Sequence, residues 1–171
     1  RLDSVLGTID GSGLTATGFA QGFRRGGEPD AALVAEAVAT ARGADVVLLF
    51  LGLDEIAESE GLDRTHLRLP DAQTELLAAV SEANPEVVVV LSAGGVVEMP
   101  WVGSCRALVH GYLAGQAGAG ALLDVLTGVV DPSGRLAETV PLSLADPPTA
   151  LTFPGTERTA EYREGLYVGY R

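Results

Sequence analysis

Two uninterrupted apolar runs constrain the fold more than anything else in the chain. ADVVLLFLG (44–52) and EVVVVLSAGG (86–95) are strand-sized, rich in Val and Leu, and show no polar alternation. Strands buried on both faces read this way, and they belong to parallel sheets covered by helices. Around them the apolar period is helical. DAALVAEAVATAR (30–42) places Leu33, Val34, Ala37, Val38 and Ala41 on one stripe. Pro29 and Asp30 suit its first turn, and Gly43 suits the position that ends it. Pro70 and Asp71 open a second helix with Ala72, Leu76, Leu77 and Val80 inward, and Asn84-Pro85 stops it.

The same reading predicts a short helix near Val97–Gly103, a third strand over Ala107–Leu113, a helix from Gly118 to Thr127 closed by Gly128, and one more strand over Arg135–Val140. Alternating strands and helices with short connections imply an α/β three-layer sandwich around a mostly parallel, doubly wound sheet, flavodoxin-like in outline. After Pro141 periodicity stops. PLSLADPPTALTFPG is proline-rich and reads as an extended tail, so residues 1–141 form the sandwich and 142–171 a trailing segment.

Composition excludes several classes of function. Among 171 residues, 23 are acidic and 11 basic, every one of the latter Arg, for a formal net charge of −12. A polyanion of this kind is repelled by nucleic acid and by anionic membranes. Cys105 alone cannot build a disulfide framework, and one Cys with two His cannot close a structural zinc site. No apolar run reaches the ~20 residues that span a bilayer, and no signal peptide is visible, which points to the cytoplasm. The chain begins at Arg1 rather than Met, so a fragment or processed piece is expected.

Ligands of open α/β sheets bind beyond the carboxyl ends of the strands. The loop after the first buried run carries five carboxylates within ten residues, Asp54, Glu55, Glu58, Glu60 and Asp63, followed by Arg64 and His66. Crowded like charges raise a carboxyl pKa, as a general acid near neutral pH requires. Arg64 can fix the loop or hold a neighbouring carboxylate ionised, and Gly61 permits a tight bend beside Glu60. A solvated acidic loop that binds nothing is the plain alternative. Gly115-Gln-Ala-Gly118-Ala-Gly120 precedes a helix, where a phosphate can sit, but its GxxGxG order and the lack of Lys match no phosphate fingerprint, and close packing explains the glycines as well. No GxSxG elbow exists. Cys105 and His110 read as packed residues, and Trp101 as either a sugar-stacking face or core.

Glu58-Ser-Glu-Gly-Leu-Asp-Arg64, then Leu67-Arg-Leu-Pro70 and Gln73, resembles the loop-and-helix signature of the second domain of glycoside hydrolase family 3. Asn84-Pro85 with VVVVLSAGGVVEMPW, Leu113-Ala-Gly-Gln-Ala-Gly118, ALLDVLTG and Asp131-Pro-Ser-Gly-Arg-Leu-Ala-Glu-Thr-Val-Pro141 follow in the family's order, from about Asp30 onward. Phe153-Pro-Gly155 and Tyr162–Arg171 resemble the stretch that leads into a fibronectin-like third domain.

The resemblance implies a retaining, exo-acting β-glycosidase of the β-glucosidase type, needing no metal or cofactor. In that family an aspartate nucleophile comes from a separate TIM-barrel domain and the acid/base glutamate from this loop. On this chain the acid/base is Glu60 or Glu58. Glu60 is preferred, since many members keep only that glutamate, whereas others align their acid with Glu58; Asp63 and Arg64 shape the loop. With the barrel absent the chain alone should be inert. The strand that opens the family's second domain is also missing, so the sheet should expose an unpaired edge. Self-association, or a co-purifying remainder of the enzyme, is therefore expected. The rival readings are a stand-alone carbohydrate- or phosphate-binding module and a purely structural brace.

Overall fold

In a computed structural model, residues 2–152, 158–159 and 161–169 are described. The Phe153-Pro-Gly155 motif and the final Tyr170-Arg171 lie outside them. A short helix, α1 (Val5–Thr8), runs into a 3-10 turn and an extended stretch. Then come α2 (Ala31–Ala41), β1 (Val47–Gly52), α3 (Asp71–Ala83), β2 (Val87–Ser92), β3 (Ala107–His110) and α4 (Gly118–Leu126). The strands form a parallel sheet in the order β1-β2-β3, with Leu49 opposite Val89 and Val89 opposite Leu108. The chain is thus an α/β sandwich as expected, although these three strands follow sequence order without reversal.

Alternation along the strands divides the core between two faces. Leu49 and Leu51 of β1 join Val87, Val89 and Leu91 of β2 in one cluster with Ala37 and Ala41 of α2 and Leu76, Leu77 and Val80 of α3. Val90 is buried on the other side of β2, and Ala119 and Leu123 of α4 are buried outside that cluster, where α4 meets α1. Each fully buried Val or Leu contributes about 1.5–3 kcal/mol, so the Val-rich β2 is the energetic centre of the fold.

Local signals explain the helix ends. The Asp30 carboxylate caps α2 by accepting from the N–H groups of Ala32 and Leu33, and it also pairs with Arg24. The Leu33 N–H bond, then Arg24, hold its carboxyl below the usual carboxylate range. Buried Asn84 does more than stop α3. Its Nδ2 donates to the carbonyls of Ala41 and Ala44 at 2.8 Å each, and its Oδ1 accepts from Glu86 N–H at 2.9 Å. One side chain thereby ties the end of α2 to the start of β2.

Four expectations need correction. Burial on both faces holds for β2 but not for β1, an edge strand in which Phe50 is 40% exposed. The helix expected near Val97–Gly103 is only a 3-10 turn, Val102–Ser104, because Pro100 lacks an N–H and pushes Met99 toward extended backbone. The third strand stops at His110 rather than Leu113, since Tyr112 turns to φ +50°. Arg135–Val140 pairs with no strand: Leu136 is exposed, and the tail is held instead by Met99 N–H donating to Pro141 O (3.0 Å) and Leu144 N–H donating to Glu98 Oε2 (2.7 Å).

Candidate active-site loop

Parallel strands end together, so the segments after β1, β2 and β3 meet at one edge of the sheet. The acidic loop leaves β1 there, beside the Gly94-Gly95 turn after β2 and the 111–113 turn after β3. A Cβ on Gly94 would lie 2.9 Å from Leu113 Cδ1 and 3.4 Å from Glu58 Oε1, which places all three segments in contact. At its base, Leu53 N–H donates to Ser92 O and the Leu67 carbonyl accepts from Glu98 N–H.

The five carboxylates that look equivalent in the sequence have different partners. Asp54 turns the loop by accepting from Ile56 and Ala57 N–H groups. Glu55 pairs with Arg25 at the surface, and its own backbone N–H, then Arg25, hold its carboxyl below the ordinary range. Crowding has therefore not driven that carboxyl upward. Glu58 is half-buried, and its Oε1 accepts from both Gly94 N–H and Gly95 N–H at 2.8 Å. Glu60 and Asp63 are exposed, and no hydrogen bond or ion pair reaches either carboxyl among the described residues. Gly61, at φ +82°, bends the chain directly after Glu60. Arg64 donates through Nη2 to Val96 O at 2.7 Å, a backbone carbonyl rather than a carboxylate, and its Nη1 is buried without a partner among the described residues. Beneath the loop lies an open cavity of about 340 Å³ lined by Glu58, Ser59, Leu62, Asp63, Arg64 and Gly95.

Other candidates fall away or change character. Burial pushes the Cys105 thiol up, the reverse of what a thiolate nucleophile needs. His110 stacks on Tyr112 with ring centroids 3.9 Å apart, and burial pulls its pKa down. His110 Nδ1 accepts from Tyr112 N–H at 3.2 Å, which leaves the proton on Nε2. His66 is exposed, with Nδ1 accepting from Arg68 N–H. Trp101 packs against the core. Gly118 is required by its own turn, where a Cβ would come within 2.3 Å of Ala114 Cβ, while Gly115 and Gly120 meet nothing within 4 Å. Among the described residues no group of three or more His, Cys, Asp or Glu side chains is placed to hold a metal. Sequence reasoning missed the Gly94-Gly95 amides. Their only signal was a glycine pair directly after a buried strand.

An acidic loop anchored at the carboxyl end of a parallel sheet, on a sandwich with this motif order, defines the class of domain. The Glycosyl hydrolase family 3 C-terminal domain profile matches residues 4–170, and the chain belongs to that family. It is 48% identical over its whole length to an exo-α-(1→6)-L-arabinopyranosidase of Bifidobacterium breve and 44% identical to thermostable β-glucosidase B of Acetivibrio thermocellus. It spans 23% of the length of each. The crystal structure of the Bifidobacterium adolescentis GH3 β-glucosidase superposes on 99% of the chain with a TM-score of 0.90 and 49% identity, the match covering 25% of that protein. Fungal relatives occur as well, among them β-glucosidase B of Emericella nidulans at 40% identity.

Proposed function

We propose that these residues act as one domain of a retaining, exo-acting β-glycosidase of the β-glucosidase type, and that Glu60 is its general acid/base. The observation that carries this reading is the division of labour within the acidic loop. Glu58 spends an oxygen on two backbone donors, whereas Glu60 stands exposed and unbonded among the described residues, next to a bend that presents it. A proton donor must be free to meet the glycosidic oxygen. The nucleophile would come from a separate barrel domain, its carboxyl about 5–5.5 Å from the acid as retention requires. The share of relatives that the chain spans supports a domain of a larger enzyme. Arg64 shapes the loop in this reading, through Val96 O, whereas Asp63, as exposed and unbonded as Glu60 among the described residues, takes that role from the family resemblance alone.

Activity toward aryl β-glucosides tests the proposal. The full-length enzyme is expected to turn them over and these 171 residues alone are not. Hydrolysis by the isolated chain would place a nucleophile within it and end this reading.

We further propose that the outer edge of β1, which no strand pairs among the described residues, takes up a second copy of the chain. A groove of about 530 Å³ runs along that edge, lined by Leu48 and Phe50 of β1 with Val46 just before it, by Leu6 and Ile9, by Ala37 of α2, and by the chain's own stretch from Leu14 to Phe23. Unpaired N–H and C=O groups beside apolar side chains template another strand. In isolation the chain is expected to associate with a second copy, giving a sedimentation mass that rises with concentration and falls when Phe50 is replaced by Lys. A strictly monomeric wild-type chain at high concentration would rule this out.

A further inference from the structure

We infer that Glu58 is a positioning residue: seated on the consecutive backbone N–H groups of Gly94 and Gly95, it holds the arm of the loop that carries Glu60. The inference rests on the Glu60 reading and adds a division between a group that fixes and a group that reacts.

The anchors bracket Glu60 in sequence. Two residues before it, Glu58 Oε1 accepts from both glycine amides at 2.8 Å. Four residues after it, Arg64 Nη2 donates to Val96 O at 2.7 Å. Both land on one turn at the end of β2, the most buried strand of the sheet, so the arm is tied to the core. Consecutive amides of this kind form a concave anion site, and here the chain's own carboxylate fills it. Gly94 and Gly95 leave room for both anchors because they carry no side chains. A Cβ on Gly95 would lie 3.0 Å from Arg64 Nη2, and one on Gly94 would press on Leu113 at 2.9 Å.

A fixed arm matters because misplacing a reacting group by about 1 Å costs on the order of 10²-fold in rate. The clamp needs only an accepting oxygen, whereas proton transfer needs a titrating one. Glutamine supplies the first and not the second. In this chain, Glu58→Ala should speed hydrogen exchange at the Gly94 and Gly95 amides, and Glu58→Gln should leave them protected. In the full-length enzyme, Glu58→Ala should lower kcat on aryl β-glucosides by about 10²-fold. Glu58→Gln should stay within roughly threefold of wild type, because its amide oxygen still accepts from both donors. The basic limb of its pH profile should also be unchanged.

Unchanged exchange at both glycines in Glu58→Ala would overturn the clamp. A Glu58→Gln enzyme that loses the basic limb and spares only good leaving groups would make Glu58 the acid, overturning this inference and the Glu60 reading together. If Glu60→Gln is nearly silent while the Glu58 results stand, the acid reading alone fails. Should Glu58→Ala not fold, Glu58→Gln decides: near-wild-type kinetics with protected glycines support the clamp, and loss of either overturns it.

Discussion

Replacing Glu60 by glutamine is expected to lower kcat/KM of the full-length enzyme on alkyl and disaccharide β-glucosides by about 10²–10⁴-fold, the range that a positioned general acid supplies. The loss should shrink with leaving-group ability. A dinitrophenolate departs without protonation, so the first step on such a substrate barely needs Glu60. The second step does, because the same carboxylate, having given up its proton, must then activate water. Glycosyl-enzyme should therefore accumulate, producing a burst followed by a slow steady state. Azide attacks without base assistance and should restore turnover as the β-glycosyl azide. The basic limb of the kcat/KM profile, which reports deprotonation of the acid, should disappear. A uniform, severalfold loss across leaving groups, with no burst and no azide product, would mean that Glu60 transfers no proton.

A large effect on stability is expected at Gln73. This side chain is 6% exposed, and its amide closes a two-bond ring on Gly52, with Oε1 accepting from Gly52 N–H and Nε2 donating to Gly52 O at 2.9 Å each. Gly52 is the last residue of β1, and a Cβ there would sit 2.1 Å from Ser92 O, so the strands approach closely only because the position is glycine. As β1 is an edge strand, Gln73 stands in for a missing neighbour at its end. Gln73→Leu fills similar space and strands both backbone groups, at about 1–3 kcal/mol for each group left unsatisfied. Partial relaxation brings the expected total to roughly 2–4 kcal/mol, or a fall in Tm of roughly 5–15 °C for a domain of this size. Thermal unfolding of the 171-residue chain measures it. A shift of less than about 2 °C, below 1 kcal/mol for this size, would show that water or another group replaces the amide. Because Gly52 leads directly into the acidic loop, the variant should also loosen the loop base at Leu53.

The elements most legible in the sequence were those whose side-chain period matches their burial. In α3, Ala72, Leu76, Leu77 and Val80 are all buried as the helical stripe requires. In β2 the unbroken valine run matches a strand covered on both faces. The shortfalls came where period carries no such information. ADVVLLFLG reads as apolar as β2, yet its position at the sheet edge leaves Phe50 exposed, and edge position is a property of pairing rather than composition. Arg135–Val140 carries strand-forming residues with no ladder to join.

The site divides along the same line. The sequence by itself determined the family, the α/β sandwich and the location of an acidic loop at the strand ends, because motif order and hydrophobic period are local properties written along the chain. Through the resemblance it preferred Glu60 as the acid and kept Glu58 open. Both are glutamates flanking one serine, and within residues 54–64 only Gly61, directly after Glu60, distinguishes them. Only the tertiary structure gave them different surroundings, bringing two glycine amides 36 and 37 residues downstream onto Glu58 Oε1 and leaving Glu60 exposed. Gln73 is similar, since its place in the motif was visible while its purpose depended on Gly52, 21 residues away. A hydrogen bond is decided by distance and direction in space, and those exist only once the sheet has brought distant segments together.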